Sequence, residues 1–457
     1  MDRKANAARE QQRRGIKHRM RTLDAVQFFN VLTGPQLLQT TEEHLPEHRE
    51  RLYPPTVALS MFLMQALSAD GSCQQAVNGW AAVRTREGLK AHSVRTGAYC
   101  KARARLPVEL IRALTRRTGE LVSARMPSSW GWRGRAVKLL DGTTVSMPDS
   151  VANQASYPQS SLQVRGVGYP LARVVGVICL ASGLLRDAAI GACSGKGGSE
   201  LALLRELYGT FERTDIALGD ALYCNYFVIA ALQARAVDVL FEQQGGRITD
   251  FRRGQSLGAR DHVVNWTRPR RPQWMTPAQY EAVPVQLRLR ETRVDGRVLV
   301  STLLNARQVS KQDLRALYCK RWQVELDLRH IKSTLGMEVL SCRTPQMNQK
   351  QVWVFLLAYN LIRVLMAQAA QRAQVQPREL SFKHTLQLWL QWSAYGLVHE
   401  PDHIERLLLY IAAYRVGNRP GRKEPRMRRR RPKAFPLLKI PRAQARKAMR
   451  RTKAVEA

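Results

Sequence analysis

In a chain carrying 73 Lys and Arg against 36 Asp and Glu, an acidic residue inside or at the end of an apolar run needs a reason. A carboxylate near a core costs free energy unless it is paired or metal-bound, and carboxylate oxygens suit hard divalent cations. Asp141 follows the run AVKLL and, by strand alternation, shares a face with Val137, Leu139, Thr143 and Val145. Asp220 closes DIALGD on the face of Ile216 and Leu218, whereas Asp215 falls on the opposite face. Each also has a plainer reading: Asp141 with Gly142 as a hairpin turn, and Asp220 as a helix N-cap. Glu325 lies in LRALYCKRWQVELDLRHIKSTLG, where about 100° per residue gathers Tyr318, Arg321, Glu325, Arg329 and Lys332 into an arc of roughly 80°. Leu317, Val324, Leu328, Ile331 and Leu335 fill an adjacent arc of about 60° that docks the helix on a sheet, and Asp327 points nearly opposite Glu325. Arg321, Glu325 and Arg329 are also spaced as an exposed i, i+4 ion-pair face, a reading that leaves the tyrosine on the stripe unexplained.

The elements that must position these residues follow in order. Residues 1–21 are a basic arm. Over 22–130 apolar positions recur at helical spacing, as in TVALSMFLMQAL and LIRALTRRTGELV, predicting an all-helical DNA-binding domain in which Arg103, Arg105, Arg112, Arg116 and Arg117 suit DNA contact or plain solvation. Residues 131–241 hold three strand-like runs, AVKLLDGTTVSM, LARVVGVICLAS and LLRDAAIGAC. A helix (SELALLRELYGTF), a strand (DIALGD), a helix (NYFVIAALQAR) and a strand (VDVLF) come next. That order predicts an α/β (α+β) fold: a mixed sheet flanked by helices, in the manner of a ribonuclease-H-like core. Residues 242–296 break the rhythm with RPRRPQW and the alternating VQLRLRETRV, predicting a β-rich insertion. The core resumes over 297–345 with RVLVSTLL and one helix from Lys311 to about Gly336, and residues 346–414 read as a helical C-terminal region. The tail, 415–457, carries 17 Lys and Arg against two Glu, which predicts a segment disordered when free and suited to phosphate.

The formal charge of +37 on 457 residues implies a polyanionic partner, nucleic acid first. No stretch approaches the run of about 20 apolar residues that a spanning helix requires, and the basic start has no apolar signal core behind it. A soluble, intracellular protein with no membrane partner is expected. The seven cysteines are far apart and form no CxxC pair, so they read as reduced thiols rather than zinc ligands.

Tyr318, Arg321, Glu325 and Lys332 meet, without a gap, the pattern Tyr-x2-Arg-x3-Glu-x6-Lys. With Asp-Gly-Thr at Asp141 and Gly-Asp-Ala at Asp220, the chain resembles the DDE transposases of bacterial insertion sequences, specifically the insertion-sequence-four family. The resemblance runs from TGAYCKARARLP to LLAYNLIRVLM, and the roughly 105 residues between Asp220 and Glu325 leave room for the family's β-rich insertion. It implies binding to double-stranded DNA at transposon ends and at a target, with cleavage followed by strand transfer. Asp141, Asp220 and Glu325 would then be catalytic and hold two Mg²⁺ about 3.5–4 Å apart, with Mn²⁺ as a substitute. Tyr318, Arg321 and Lys332 would grip terminal phosphates, with Arg329 as a further member. Relatives in the family release the element through hairpins whose flipped end base stacks on an aromatic of the insertion. Trp266 and Trp274, set among cations in NWTRPRRPQW, are the candidates here, while a core role suits either equally.

Two other classes stay open: a ribonuclease-H-like nuclease that cuts without joining, and a catalytically idle, transposase-derived DNA-binding protein. Two ends must be brought together for coordinated cutting, which a homodimer would do. The apolar helices after Lys350 suit either a subunit interface or completion of the core.

Overall fold

Helical spacing before Met126 becomes α1 (Pro35–His44), α2 (Pro55–Leu67), α3 (Cys73–Arg86), α4 (Gly97–Arg105) and α5 (Val108–Arg125). Pro55 stands at the first position of α2, where its missing N–H costs nothing, and the Ser72 hydroxyl accepts from Gln75 N–H to start α3. The structure is a computed structural model and describes residues 35–45, 52–195, 197–397, 401–417 and 438–455. The basic arm 1–21 and, within the tail, residues 418–437 lie outside the described residues.

The β-branched runs become β1 (Val137–Ser146), β2 (Leu171–Cys179) and β3 (Leu185–Ala192), an antiparallel meander with the short α6 (Val151–Ser156) between its first two strands. Then come α7 (Glu200–Glu206), β4 (Ile216–Gly219), α8 (Tyr226–Gln233) and β5 (Asp238–Glu242). Residues 242–296 contribute β6 (Gln255–Gly258), β7 (Asp261–Thr267), α9 (Pro277–Glu281) and β8 (Gln286–Val294), and β9 (Arg297–Ser301) follows. Among the described residues these strands make one nine-stranded sheet in the order β3-β2-β1-β4-β5-β9-β8-β7-β6. The fold is therefore mixed α/β. β1, β4 and β5 run parallel, while β9 pairs antiparallel with β5 and β8 with β9, so β6, β7 and β8 prolong the same sheet.

Strand alternation divides the core. Leu139, Leu218 and Leu240 point to one face, covered by α2, α4, α5 and the helices after β9. Leu140, Ala217 and Val239 point to the other, covered by α7 and α8. The single helix expected from Lys311 to Gly336 is instead four pieces: α10 (Lys311–Cys319), a 3₁₀ turn (Lys320–Trp322), α11 (Gln323–Arg329) and a π turn (His330–Thr334). One turn is tighter than α and one looser, so their rotations oppose each other.

Beyond lie α12 (Pro345–Arg372), α13 (Phe382–Ala394), α14 (Pro401–Ala413) and α15 (Arg442–Val455), the last an element that the tail's charge did not predict. The expectation that no stretch approaches spanning length is corrected by α12, which is long and apolar enough to cross a membrane. Its apolar window is 94% buried inside the protein, the position of a core helix.

The π turn leaves a pH signature. His330 stacks on Phe382 with ring centroids 4.6 Å apart. Burial, then the Arg363 charge, lowers its pKa to about 4. A depressed folded-state pKa means a stability contribution that is complete above about pH 6.5 and lost as pH falls through about 4. His330→Gln should therefore flatten the acid limb of a urea-denaturation stability profile by about 2 kcal/mol between pH 6.5 and 4. Equal slopes for variant and wild type would count against this.

Candidate active site

β1 runs unbroken through Asp141 and Gly142, with Asp141 opposite Gly176 of β2, so the hairpin-turn reading of this pair is set aside. Parallel pairing brings Leu139 level with Leu218 and Leu218 level with Leu240. Two residues further along each strand stand Asp141, Asp220 and Glu242, three acids at one level on the face carrying those leucines. Asp141 Oδ1 accepts from Gly142 N–H (2.8 Å). Asp220 does cap a helix, as its plainer reading had it: Oδ1 accepts from Leu222 N–H (2.9 Å) in the 3₁₀ turn that follows. One oxygen is enough for the cap.

Glu325 reaches the same sheet end because α11 packs on β1. Its Oε1 accepts from Arg321 Nη2 at 3.0 Å, and Arg321 acts on Asp141 as well. Burial, followed by the charges of Asp220 and Glu200, pushes the Asp141 carboxyl up to about 6, against the pull of Gly142 N–H and Arg321. A set of all-oxygen donors whose mutual repulsion is incompletely answered by protein cations fits hard divalent ions. Among the described residues no three metal-ligating side chains converge tightly enough to hold an ion as they stand, since Glu325 is drawn to Arg321.

The rest of the stripe divides. Tyr318 is buried, and its hydroxyl donates to Glu242 Oε2 at 2.7 Å, an oxygen that also accepts from Arg297 at 3.2 Å. This departs from a tyrosine free to meet phosphate, and the partner comes from the strand that lines up with β4. Arg329 is exposed and Lys332 half-buried in the π turn. Asp327, on the far side of α11 from Glu325, is fully buried. Its Oδ1 accepts from Arg363 (2.5 Å) and from Arg378 (2.7 Å).

The two tryptophans part company. Trp266 is 5% exposed, donates Nε1–H to Glu291 (2.7 Å) and has Arg247 over its ring at 3.7 Å. It is a core residue with no face left for a base, which corrects its candidacy for DNA contact. Trp274 is 47% exposed, edge-on to Phe227, with Arg205 over its ring at 4.0 Å. The arginines of the helical region also sort themselves. Arg103 is buried against Phe62 and donates to Gln65, Arg112 and Arg116 pair with the buried Asp187, and Arg117 pairs with Glu120. Arg105 remains exposed.

Sequence reasoning missed two acids. Glu242 falls at the first position of the β-rich insertion expected over 242–296, although it continues the alternation of VDVLF and ends β5. Glu200, in the first turn of α7, accepts from Tyr223 Oη (3.2 Å) and lies within charge range of Asp141. Packing of α7 on β2 and β3 brings its first turn to this edge.

The sequence model of the family described as Transposase DDE domain matches residues 132–361, a span holding Asp141, Glu200, Asp220, Glu242 and Glu325. Transposase InsG for insertion sequence element IS4, from Escherichia coli (strain K12), is 28% identical over 360 residues, covering 75% of this chain and 78% of that protein. A solved structure described as the piggyBac transposase synaptic complex with hairpin DNA is similar at TM-score 0.42 and 9% identity, over 88% of this chain and 87% of that one. With half of its length matched by the family, the chain belongs to the DDE transposases, of the IS4 type.

Proposed function

We propose that the protein binds the ends of its insertion sequence as double-stranded DNA and carries out metal-dependent cleavage followed by strand transfer. The observation that carries this reading is the level placement of Asp141 and Asp220 on adjacent parallel strands, under the helix that bears Glu325. Asp141 would hold the cations from within β1 and Asp220 from just past the end of β4, and Glu325 from the helix on exchanging Arg321 for them. Two divalent cations, Mg²⁺ with Mn²⁺ as a substitute, supply when bound the charge that activates the attacking oxygen and stabilises the leaving oxygen. Released from Glu325, Arg321 offers a planar fork to a terminal phosphate, and Lys332 a point charge beside it, with Arg329 at the exposed rim. Tyr318 joins them only by giving up Glu242.

In this reading residues 131–241 and 297–345 form a ribonuclease-H-like core around the insertion 242–296. The helical domain 22–130 contacts DNA, and the basic tail 415–457 adds phosphate contacts. Two copies of the chain would hold the paired ends. Incubating the protein with Mg²⁺, a duplex carrying the element's end and a supercoiled plasmid tests the function. End cleavage with joined products supports it, cleavage without joining favours a nuclease, and binding without cleavage favours an idle DNA-binding protein.

Trp274 is the stacking partner for a flipped end base if release passes through hairpins. Trp274→Ala should weaken binding to a hairpin end with unpaired terminal bases by about tenfold, the scale of one lost base stack, and leave blunt-duplex binding unchanged. Trp266→Ala should instead lower folding stability by about 3 kcal/mol, as loss of a core aromatic does. Electrophoretic mobility shifts and urea denaturation separate the two, and equal binding of both DNA forms by Trp274→Ala would remove Trp274 from the site.

A further inference from the structure

The backbone next to Asp141 has no side chain, and that space is filled. A Cβ built on Gly142 would lie 2.5 Å from both Cδ and Oε2 of Glu200. Such a distance is far inside contact, so the carboxylate of Glu200 takes the position that any other residue at 142 would need. Gly142 points to the face opposite Asp141, and α7 covers that face with Leu203 and Leu204 in its core. Glu200 therefore reaches the carboxylate edge from the reverse side of the sheet. Two groups hold it there: Tyr223 Oη donates to Oε2 at 3.2 Å, and Arg173 Nε stands 3.7 Å from Oε1. Arg173 is itself anchored by donating to Gly198 O at 2.7 Å. Fixing a further anion beside Asp141 and Asp220 costs electrostatic energy, and one long ion pair with one phenolic hydrogen bond answers little of it.

We propose that Glu200 is a fourth carboxylate of the cation site, set in the space left by Gly142 and oriented by Tyr223 and Arg173. The inference rests on the reading of Asp141, Asp220 and Glu325 as the cation-holding set. It predicts that the affinity for divalent cations, and not only turnover, depends on Glu200.

The test is a Mn²⁺ titration of the full-length protein without DNA, read by calorimetry and by the rise in melting temperature. Glu200→Gln keeps the shape and the Tyr223 contact and should raise the half-saturating Mn²⁺ concentration by about tenfold, within the range found for groups supporting a metal site. Gly142→Ala, which displaces the Glu200 carboxylate without altering any acid, should shift the titration in the same direction. Asp141→Asn is the control for the underlying reading and should abolish the response. A wild-type titration curve for Glu200→Gln, beside a lost response in Asp141→Asn, would overturn the role of Glu200 and leave the cation site standing. An unaltered response in Asp141→Asn would overturn both. A Glu200→Gln protein that melts lower in EDTA but binds Mn²⁺ as wild type does would make Glu200 a partner of Arg173 alone.

Discussion

Replacing Asp141, Asp220 or Glu325 by Ala should each reduce end cleavage by at least about 10³-fold while leaving end binding within about threefold of wild type. Binding rests on cations spread over a chain of net charge +37, and removing one carboxylate only adds to that charge. In the proposed function, chemistry would rest on the three acids acting as a unit. The losses should therefore be non-additive, with Asp141→Ala combined with Glu325→Ala no slower than either alone. The sheet gives a reason to expect folded variants: burial pushes the Asp141 carboxyl up, a cost that its replacement by Ala removes, and Asp220 stands just past the end of β4. Quantified cleavage of a labelled end duplex, beside a mobility shift of the same duplex, measures both effects. Retained cleavage in any single variant would remove that residue from the set.

The second large effect lies two residues beyond Glu325. Asp327 is fully buried and its Oδ1 accepts from both Arg363 and Arg378, while its Oδ2 has no partner. Arg363 also donates to Tyr359 Oη, and Arg378 to the carbonyls of Leu180 and Cys179 at the β2–β3 turn. This clamp ties α11 to α12 and to the sheet, and so sets the side of the helix that Glu325 presents. Asp327→Ala would leave Arg363, itself 3% exposed, as a buried charge without a counter-ion. Breaking such a pair costs about 3–5 kcal/mol. Urea denaturation should register that loss, and cleavage should fall even under conditions where the variant is folded. A stability change under about 1 kcal/mol would mean that water reaches the arginines and that the clamp is not what fixes α11.

The faces of Asp141, Asp220 and Glu325 were legible in the sequence because period-2 and period-3.6 patterns depend only on local backbone geometry. The same logic put Asp327 opposite Glu325, where it is found. What local periodicity does not carry is which strands become neighbours, and the misses follow from that. Glu242 gains its place only when β5 pairs parallel with β4, and Glu200 only when α7 folds back beneath β1. The unbroken helix failed for a related reason: the two turns flank α11, which packs on β1, and the π turn packs on α12, contacts that local propensity does not encode. Trp266 shares its surroundings in sequence with Trp274, yet the pairing of β7 with β8 turns it into the core.

The most direct test of a cation site on Asp141, Asp220 and Glu325 is to place sulfur at a non-bridging position of the scissile phosphate and vary the metal. Mg²⁺ coordinates sulfur poorly and Mn²⁺ accepts it better, in line with their relative softness. Cleavage of the phosphorothioate end should fall by at least about 10²-fold in Mg²⁺ and recover in Mn²⁺, with no recovery in Asp141→Ala. Cleavage that proceeds unchanged in EDTA, or sulfur inhibition that Mn²⁺ does nothing to relieve, would contradict the account.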